Sequence, residues 1–543
     1  MGIYLNPGNE KFLRVISSEI YVDKTGMLAN LNSVLETEQC YICVSRPRRF
    51  GKSITADMIA AYYDNSCNSK ELFQNYVIAK EKDKFERFLN KYSVIQADMN
   101  DFRFRRDAES GNVISAKAAI RLFQKEIIKE LIEEFPDAGI EAEYDLPLAL
   151  VKVNKKYKEK FIIIIDEWDV FFREDKLDTA VQKEYIELFR GLFKNATSKN
   201  FIALAYITGI LPIKKYGTQS ALNNFDEFTM INPLVLSEYV GFTEGEVKTL
   251  CRQYKMDFDK VQSWYDGYSF RRVQHIYNPN SVVKAMFYGE FDSYWTRTET
   301  YELLRDYIIM DFDGLKEAVV QMLSGGRCKV NVHKFQNDMT SFQSKDDILV
   351  LLIHLGYLAY DFETKETYIP NEEILYEFQN AIEGAGWDTV IDAISASEHL
   401  LLDTWQGNEA AVANGIEEVH MANTSILSYN DENSLSCVIT LAYYNALNEY
   451  TLIREMPAGK GYADIVFLPK KFSDKPAMII ELKYNKSAEG AITQMKERRY
   501  AKALENYRGK LLLVGINYDA GTKKHQCRIE QSYYSQPGFT HGD

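Results

Sequence analysis

The sequence predicts an α/β protein in three parts: an N-terminal parallel-sheet domain, a mainly helical middle region and a smaller C-terminal α/β domain. Three observations predict it. Apolar runs alternate with amphipathic segments over residues 1–235. Helical periodicity then dominates residues 236–404. Strand-like runs ending in charged residues return over 405–530, before a polar tail at 531–543.

In the first part, CYICVS (Cys40 to Ser45), YSVIQADM (Tyr92 to Met99), FIIIID (Phe161 to Asp166) and FIALAYIT (Phe201 to Thr208) read as buried strands. Near-continuous apolar runs suit a parallel sheet covered on both faces. Ala116 to Phe135 and Gln182 to Ala196 carry a helical period between them. Strand and helix alternate, as in a doubly wound domain. The middle part opens with TEGE (Thr243 to Glu246), a capping box. WYDGYSF (Trp264 to Phe270) and YNPNSVV (Tyr277 to Val283) interrupt its helices with turn residues. In the last part, Ser434 to Tyr450 reads as a helix. YADIVFLP (Tyr462 to Pro469) and AMIIELKY (Ala477 to Tyr484) read as strands. A helix from Ala488 to Tyr507 and the strand LLLVGINY (Leu511 to Tyr518) follow. The end, Ser535 to Asp543, reads as disordered.

Composition bounds the function. The chain has 543 residues, 46% hydrophobic and 26% charged, as in ordinary globular proteins. A net charge of −14 excludes a protein that coats nucleic acid non-specifically. One segment, Lys475 to Lys510, is locally basic, with nine Lys/Arg against four Glu. Seven scattered cysteines suit a reducing compartment, and Cys40 and Cys43 read as strand residues. The N-terminus lacks the apolar core of a signal peptide, and the longest apolar stretch, Phe201 to Ile213, is too short to span a bilayer. A cytoplasmic location without a membrane partner is expected.

SRPRRFGKS (Ser45 to Ser53) reads as a phosphate-binding loop. Gly51, Lys52 and Ser53 supply the end of G-x-x-x-x-G-K-[ST], in which lysine reaches the β/γ phosphates and the hydroxyl reaches Mg²⁺. Arg46 stands where the first glycine belongs. The strand FIIIIDEWD ends in carboxylates that suit Mg²⁺ binding (Asp166) and water activation (Glu167). Thr208 ends the next strand, either facing a γ-phosphate or acting as a cap. Arg46, Arg48 and Arg49 flank the loop. They serve phosphate, an adjacent subunit, or solvent.

Together with YVDKTGML (Tyr21 to Leu28), TGI (Thr208 to Ile210), GFTEGEV (Gly241 to Val247) and WYDGY, these motifs resemble the predicted AAA-type ATPases of anaerobic and gut bacteria. In that family RPRRFGKS is usual. The resemblance covers roughly residues 5–290. It implies an AAA-like fold and ATP hydrolysis, with Lys52 and Ser53 for nucleotide and Mg²⁺ and with Asp166 and Glu167 for hydrolysis. It assigns no role to Asp23 or Lys24.

A second cluster lies near the C-terminus. Glu481 and Lys483 are two apart on a strand and share a face. Asp464 lies on a strand able to pair with it. Two carboxylates on neighbouring strands can share a Mg²⁺ that activates water, and Lys483 can stabilise the charge that develops. E-x-K also suits a cross-strand charge pair. A helix bearing Lys496, Arg498, Arg499 and Lys502 would hold a phosphate backbone.

This cluster is similar to the PD-(D/E)XK nuclease superfamily, a restriction-endonuclease-like α/β fold. Gly459, Gly461 and Asp464 match its G-x-G-x-x-D run, and Glu481 to Lys483 match E-L-K. The resemblance implies catalysis by Asp464, Glu481 and Lys483, with Glu432 and Gln494 as accessory residues. Tyr500 lies six residues beyond Gln494, so Q-x-x-x-Y is not reproduced.

The expected function is an ATP-hydrolysing protein with a Mg²⁺-dependent nuclease domain that cuts DNA, rather than RNA, under nucleotide control. A mobile-element or defence setting and assembly through the ATPase domain are expected. The alternative is a signalling ATPase whose C-terminal domain only binds.

Overall fold

The structure is a computed structural model. It describes residues 2–80, 82–213, 222–239, 241–295, 300–310, 312, 314–323, 325–333, 335, 342–383, 387–423, 432–444, 446–458, 461–470, 475–500, 504 and 510–532. These divide into two compact units, Met1–Thr298 with Lys329–Tyr376, and Glu299–Cys328 with Glu377–Asp543. The tail expected at Ser535 to Asp543 lies outside the described residues.

The first unit is built on a parallel sheet. Its strands are β1 (Tyr41–Ser45), β2 (Ser93–Asp98), β3 (Phe161–Asp166), β4 (Ile202–Gly209) and β5 (Asp226–Phe228), in the order β2-β3-β4-β1-β5. All six residues of β3 are buried, which its run of four isoleucines allows on both faces. Helix α1 (Lys52–Tyr63) leaves β1 through the glycine loop. Helices α2 (Ala116–Glu134) and α3 (Thr179–Phe193) each start at a capping side chain, Ser115 and Asp178. The strand order reverses beside β1. Ligands of open α/β sheets bind at the carboxyl ends of strands at such a point.

The capping box at Thr243 opens helix α4 (Glu244–Tyr254). The Thr243 N–H donates to Glu246 Oε2 at 2.7 Å. Lys24 reaches the same carboxylate at 2.7 Å and the Glu238 carbonyl at 2.6 Å. The YVDKT and GFTEGEV motifs are therefore joined by one half-buried cation. Around this joint lies a cavity of about 480 Å³, lined by Asp23, Lys24, Tyr239, Thr243, Glu246 and Gln274 among others.

The second unit carries a mixed sheet of β6 (Tyr450–Ala458), β7 (Gly461–Pro469), β8 (Ala477–Tyr484), β9 (Leu511–Asp519) and β10 (Lys524–Ser532), in chain order. Neighbours are antiparallel except β8 and β9, which are parallel and joined through helix α6 (Ala488–Glu497). Two helices are shorter than the sequence predicts. Helix α5 runs Glu432–Ala442 rather than to Tyr450, and a separate short helix, Ala446–Glu449, follows it. The Tyr443 ring packs at a tilt against Phe467 and its hydroxyl meets Thr404 Oγ1 at 2.7 Å, while Tyr450 already begins β6. Helix α6 stops at Glu497, and Arg499 adopts a left-handed φ of 57°. This reversal buries Tyr500 completely, so tertiary packing overrides the helical period.

Replacing Lys24 by Met leaves the Glu246 carboxylate without its cation. Loss of a charged hydrogen bond of this kind costs about 1.5–3 kcal/mol. The urea midpoint of the first unit's transition is expected to fall accordingly; an unchanged midpoint would contradict the joint.

Candidate functional site

Two clusters of chemistry-bearing residues are present, one in each unit. In the first, Gly51 caps α1 with φ 81°, a conformation that suits glycine and turns the loop onto the helix. Lys52 is buried behind it. Its Nζ donates to the carbonyls of Arg46 and Pro47 at 3.1 and 2.9 Å and lies 3.8 Å from Glu167 Oε1. Burial lowers its pKa, against the pull of Glu167 and Asp166.

Arg46 is fully buried. Nη1 donates to the Ser45 and Phe228 carbonyls at 3.0 and 3.2 Å, and the guanidinium lies 5.5 Å from the Phe270 ring. Burial lowers its pKa to about 10, so it stays charged at neutral pH. Its side chain thus joins the loop to β5 and to the WYDGYSF segment. Arg49 Nη1 donates to the Trp295 carbonyl at 2.8 Å. Thr208 is buried, and its hydroxyl donates to the Val44 carbonyl at 2.9 Å.

Asp166 ends β3 beside Asp98, its register partner on β2. One of its oxygens accepts the N–H of Glu167 at 2.9 Å, and the nearby Ser53 side chain acts to lower its pKa. Burial, then the neighbouring Glu167, raises the Asp166 pKa to about 7. Burial also acts to raise Glu167, but Lys52, Arg173 and Arg48 outweigh it and hold that carboxyl low. A buried Asp166 carboxylate near the Ser53 side chain suits a divalent cation.

In the second unit, the register pairing Ile465 with Ile480 brings Asp464 beside Glu481. Asp464 Oδ2 accepts the Leu482 N–H at 2.7 Å. Glu481 Oε1 accepts from Lys483 Nζ at 2.8 Å and from Gln494 Nε2. Glu481 Oε2 is buried without a hydrogen-bond partner among the described residues. Burial and Asp464 raise the Glu481 pKa to about 7, while Lys483 and Arg498 act against the shift. An orphaned oxygen beside a second carboxylate is what a divalent cation would satisfy. Mg²⁺ commonly takes only one or two protein carboxylates and fills its shell with water and phosphate. Among the described residues, no group of three or more His, Cys, Asp or Glu is placed to hold a metal.

Arg498 and Tyr500, given no place in this cluster by the sequence, join it. Gln494 donates to Tyr500 Oη at 3.3 Å despite the altered spacing. Arg498 and Tyr500 also close over Gly461, where a Cβ would lie 3.0 Å from Arg498 Nη1. That contact is a reason for the second glycine of the G-x-G run. Gly459, Lys502 and the Glu432 side chain lie outside the described residues; Glu432 itself is the first residue of α5. Lys496 pairs with Glu530 at 2.5 Å. In the first unit the sequence missed Asp169 and Arg173. Their i, i+4 spacing is the only signal, and they form an ion pair at 3.2 Å.

The segments that carry the two clusters match family models. Residues 8–218 match the family described as Predicted AAA-ATPase, and residues 430–527 match the PD-(D/E)XK nuclease superfamily. The chain carries an AAA-ATPase-like domain and a PD-(D/E)XK nuclease-superfamily domain.

A relative from Azotobacter chroococcum mcd 1, an uncharacterized protein in the vnfD 5′ region, is 24% identical over 298 residues. The match covers 53% of this chain and about half, 52%, of the relative. Among solved structures, Cdc6p from Pyrobaculum aerophilum aligns over 68% of this chain and 97% of its own, at 12% identity and TM-score 0.25. AMPPCP-bound DnaA from Aquifex aeolicus aligns over 69% and 89%, at 11% identity and TM-score 0.26. Among the described residues, no helix is long and apolar enough to cross a membrane.

A Glu481 pKa near 7 makes metal binding release a proton. Mg²⁺ affinity of the second site should fall about tenfold from pH 8 to pH 6, as one proton competes. Without metal the linked stability has the opposite sense. The raised pKa contributes stability fully below the unfolded pKa, which is lost as pH rises through about 7. Calorimetry on wild type and Glu481→Gln checks both; a wild-type affinity flat across this range would count against the buried acid.

Proposed function

We propose that this protein hydrolyses P–O bonds at two places: ATP at the first site and DNA at the second, with cutting dependent on nucleotide state. The observation that carries the nuclease reading is the orphaned Glu481 Oε2 beside Asp464, flanked by Lys483. A Mg²⁺ held by Asp464 and Glu481 would supply an activated water and charge neutralisation. Lys483 holds Glu481 in place and offers a positive charge to the phosphate. Gln494 bonds to the same carboxylate and fixes its rotamer.

At the first site, Lys52 would leave its own loop carbonyls for the nucleotide phosphates. Ser53 and Asp166 are the residues to hold Mg²⁺, and Glu167 the residue to take the proton of the attacking water. The buried Arg46 and Thr208 support the loop and β4 from behind. Arg48, near Glu167, faces the same charge. Segments 1–235, 236–404 and 405–530 are proposed as the ATPase domain, the helical connector and the nuclease domain. A cytoplasmic, mobile-element or defence role and assembly through the ATPase domain belong to the same proposal. Motifs on both domains support it.

The test is cleavage of plasmid and single-stranded DNA with and without ATP and Mg²⁺. Asp464→Ala should abolish Mg²⁺-dependent cleavage and spare ATP hydrolysis. Lys52→Ala should abolish hydrolysis and either spare cleavage or remove its ATP response. Cleavage that survives Asp464→Ala would sink the nuclease assignment.

A further inference from the structure

Asp169 and Arg173 follow the acidic end of β3, and both are buried. Arg173 closes the short helix Val170–Arg173. Its Nη2 donates to Glu167 Oε2, and its Nε lies 3.2 Å from Asp169 Oδ2. That Asp169 oxygen also accepts the backbone N–H groups of Ile210 and Leu211 at 3.1 and 2.7 Å. A continuous chain of charged contacts thus runs from Glu167 through Arg173 and Asp169 to the segment after β4. Glu167 itself has a φ of 50°, left-handed and costly for a glutamate. Such a conformation persists where surrounding contacts over-determine it, and strain of this kind concentrates at working sites.

We infer that Arg173 is a positioning residue for ATP hydrolysis, an inference that rests on the nucleotide reading above. In the step concerned, the water oxygen bonds to the terminal phosphorus and the P–O bond to the leaving diphosphate breaks. The water proton passes to Glu167. Arg173 never touches these atoms. It fixes the carboxylate that does, holding Oε2 so that Oε1 faces the loop. Lys52, 3.8 Å from Oε1, completes the clamp until phosphate draws it away. Asp169 holds Arg173 from its far side and ties it to the backbone beyond Thr208, so the ends of β3 and β4 are set as one body. A lysine four carbons long can keep the charge but not both contacts, because it lacks the fork of a guanidinium.

The experiment compares steady-state ATP hydrolysis and binding of a non-hydrolysable ATP analogue in wild type, Arg173→Met and Arg173→Lys. A misplaced reacting group costs on the order of a hundredfold in rate, so kcat of Arg173→Met should fall about ten- to a hundredfold, with analogue affinity within about twofold of wild type. Arg173→Lys should recover part of kcat. If Arg173→Met does not fold, Arg173→Gln, a neutral donor, takes its place under the same criteria. Wild-type kcat in the neutral variant overturns the positioning role. So does a loss of kcat and affinity in equal measure with no recovery in Arg173→Lys, which is the mark of a purely structural residue. Absence of turnover in wild type would overturn the hydrolysis reading itself, and the positioning role with it.

Discussion

A carboxylate buried at the end of an apolar strand must be neutralised, by a proton or by a cation. Both sites of this protein are organised by that constraint. β3 and β8 are apolar because they lie inside sheets, and their first polar residues, Asp166 and Glu481, are buried with them. A lone ionised carboxylate in such a place would be far too costly, so it is paired or its pKa moves. Here both occur. Asp166 and Glu481 are each raised to about 7, while Lys52 and Lys483 stand beside the acidic groups. The lysines themselves are held in place by burial, so the charges are positioned before any ligand arrives.

The supporting shell follows from the same need. At the loop, Arg46 is a buried cation with no carboxylate partner among the described residues, and its Nη1 donates to the Ser45 and Phe228 carbonyls. That ties the phosphate loop to β5 and, through Phe270, to the turn-rich WYDGYSF segment. Tyr268 of that segment donates to the Gly356 carbonyl at 2.6 Å. Lys24 does the equivalent for the capping carboxylate of α4. The conspicuous motifs outside the loop are thus joints between segments distant in sequence, each made by one buried or half-buried charged or aromatic side chain.

This explains what could be read from the sequence. The strands were legible because isoleucine runs and terminal acids leave little alternative, and β3 spans the predicted Phe161–Asp166. The proximity of Asp464 to Glu481 was legible from strand pairing alone. Arg46 was not, because an arginine in a phosphate loop reads as a cation facing its ligand, and only the tertiary structure shows it buried. The end of α6 was not, because Lys496 to Lys502 keeps a polar helical pattern. What stops the helix is the burial of Tyr500 against Gly461 and Gln494, contacts more than five residues away or across the sheet. Arg173 was not, because Asp-x-x-x-Arg is also the commonest kind of solvated helix pair.

The two sites differ in how far their charges are already balanced. At the first, Glu167 has Lys52 and Arg173, and Asp169 has Arg173 and two backbone N–H groups. A nucleotide must therefore displace an existing contact, since Lys52 cannot keep its bonds to Arg46 and Pro47 and also reach a phosphate. Its binding energy is spent in part on opening that network, which makes the state of the network report on occupancy. At the second, Lys483 answers only one Glu481 oxygen, and the other remains unsatisfied next to Asp464. A cation arriving there displaces a proton rather than a protein contact. The first site is thus built as an exchange of partners and the second as a vacancy for charge. On the proposed function, a nucleotide would bind by exchanging partners at the first site, and a metal ion by replacing a proton at the second.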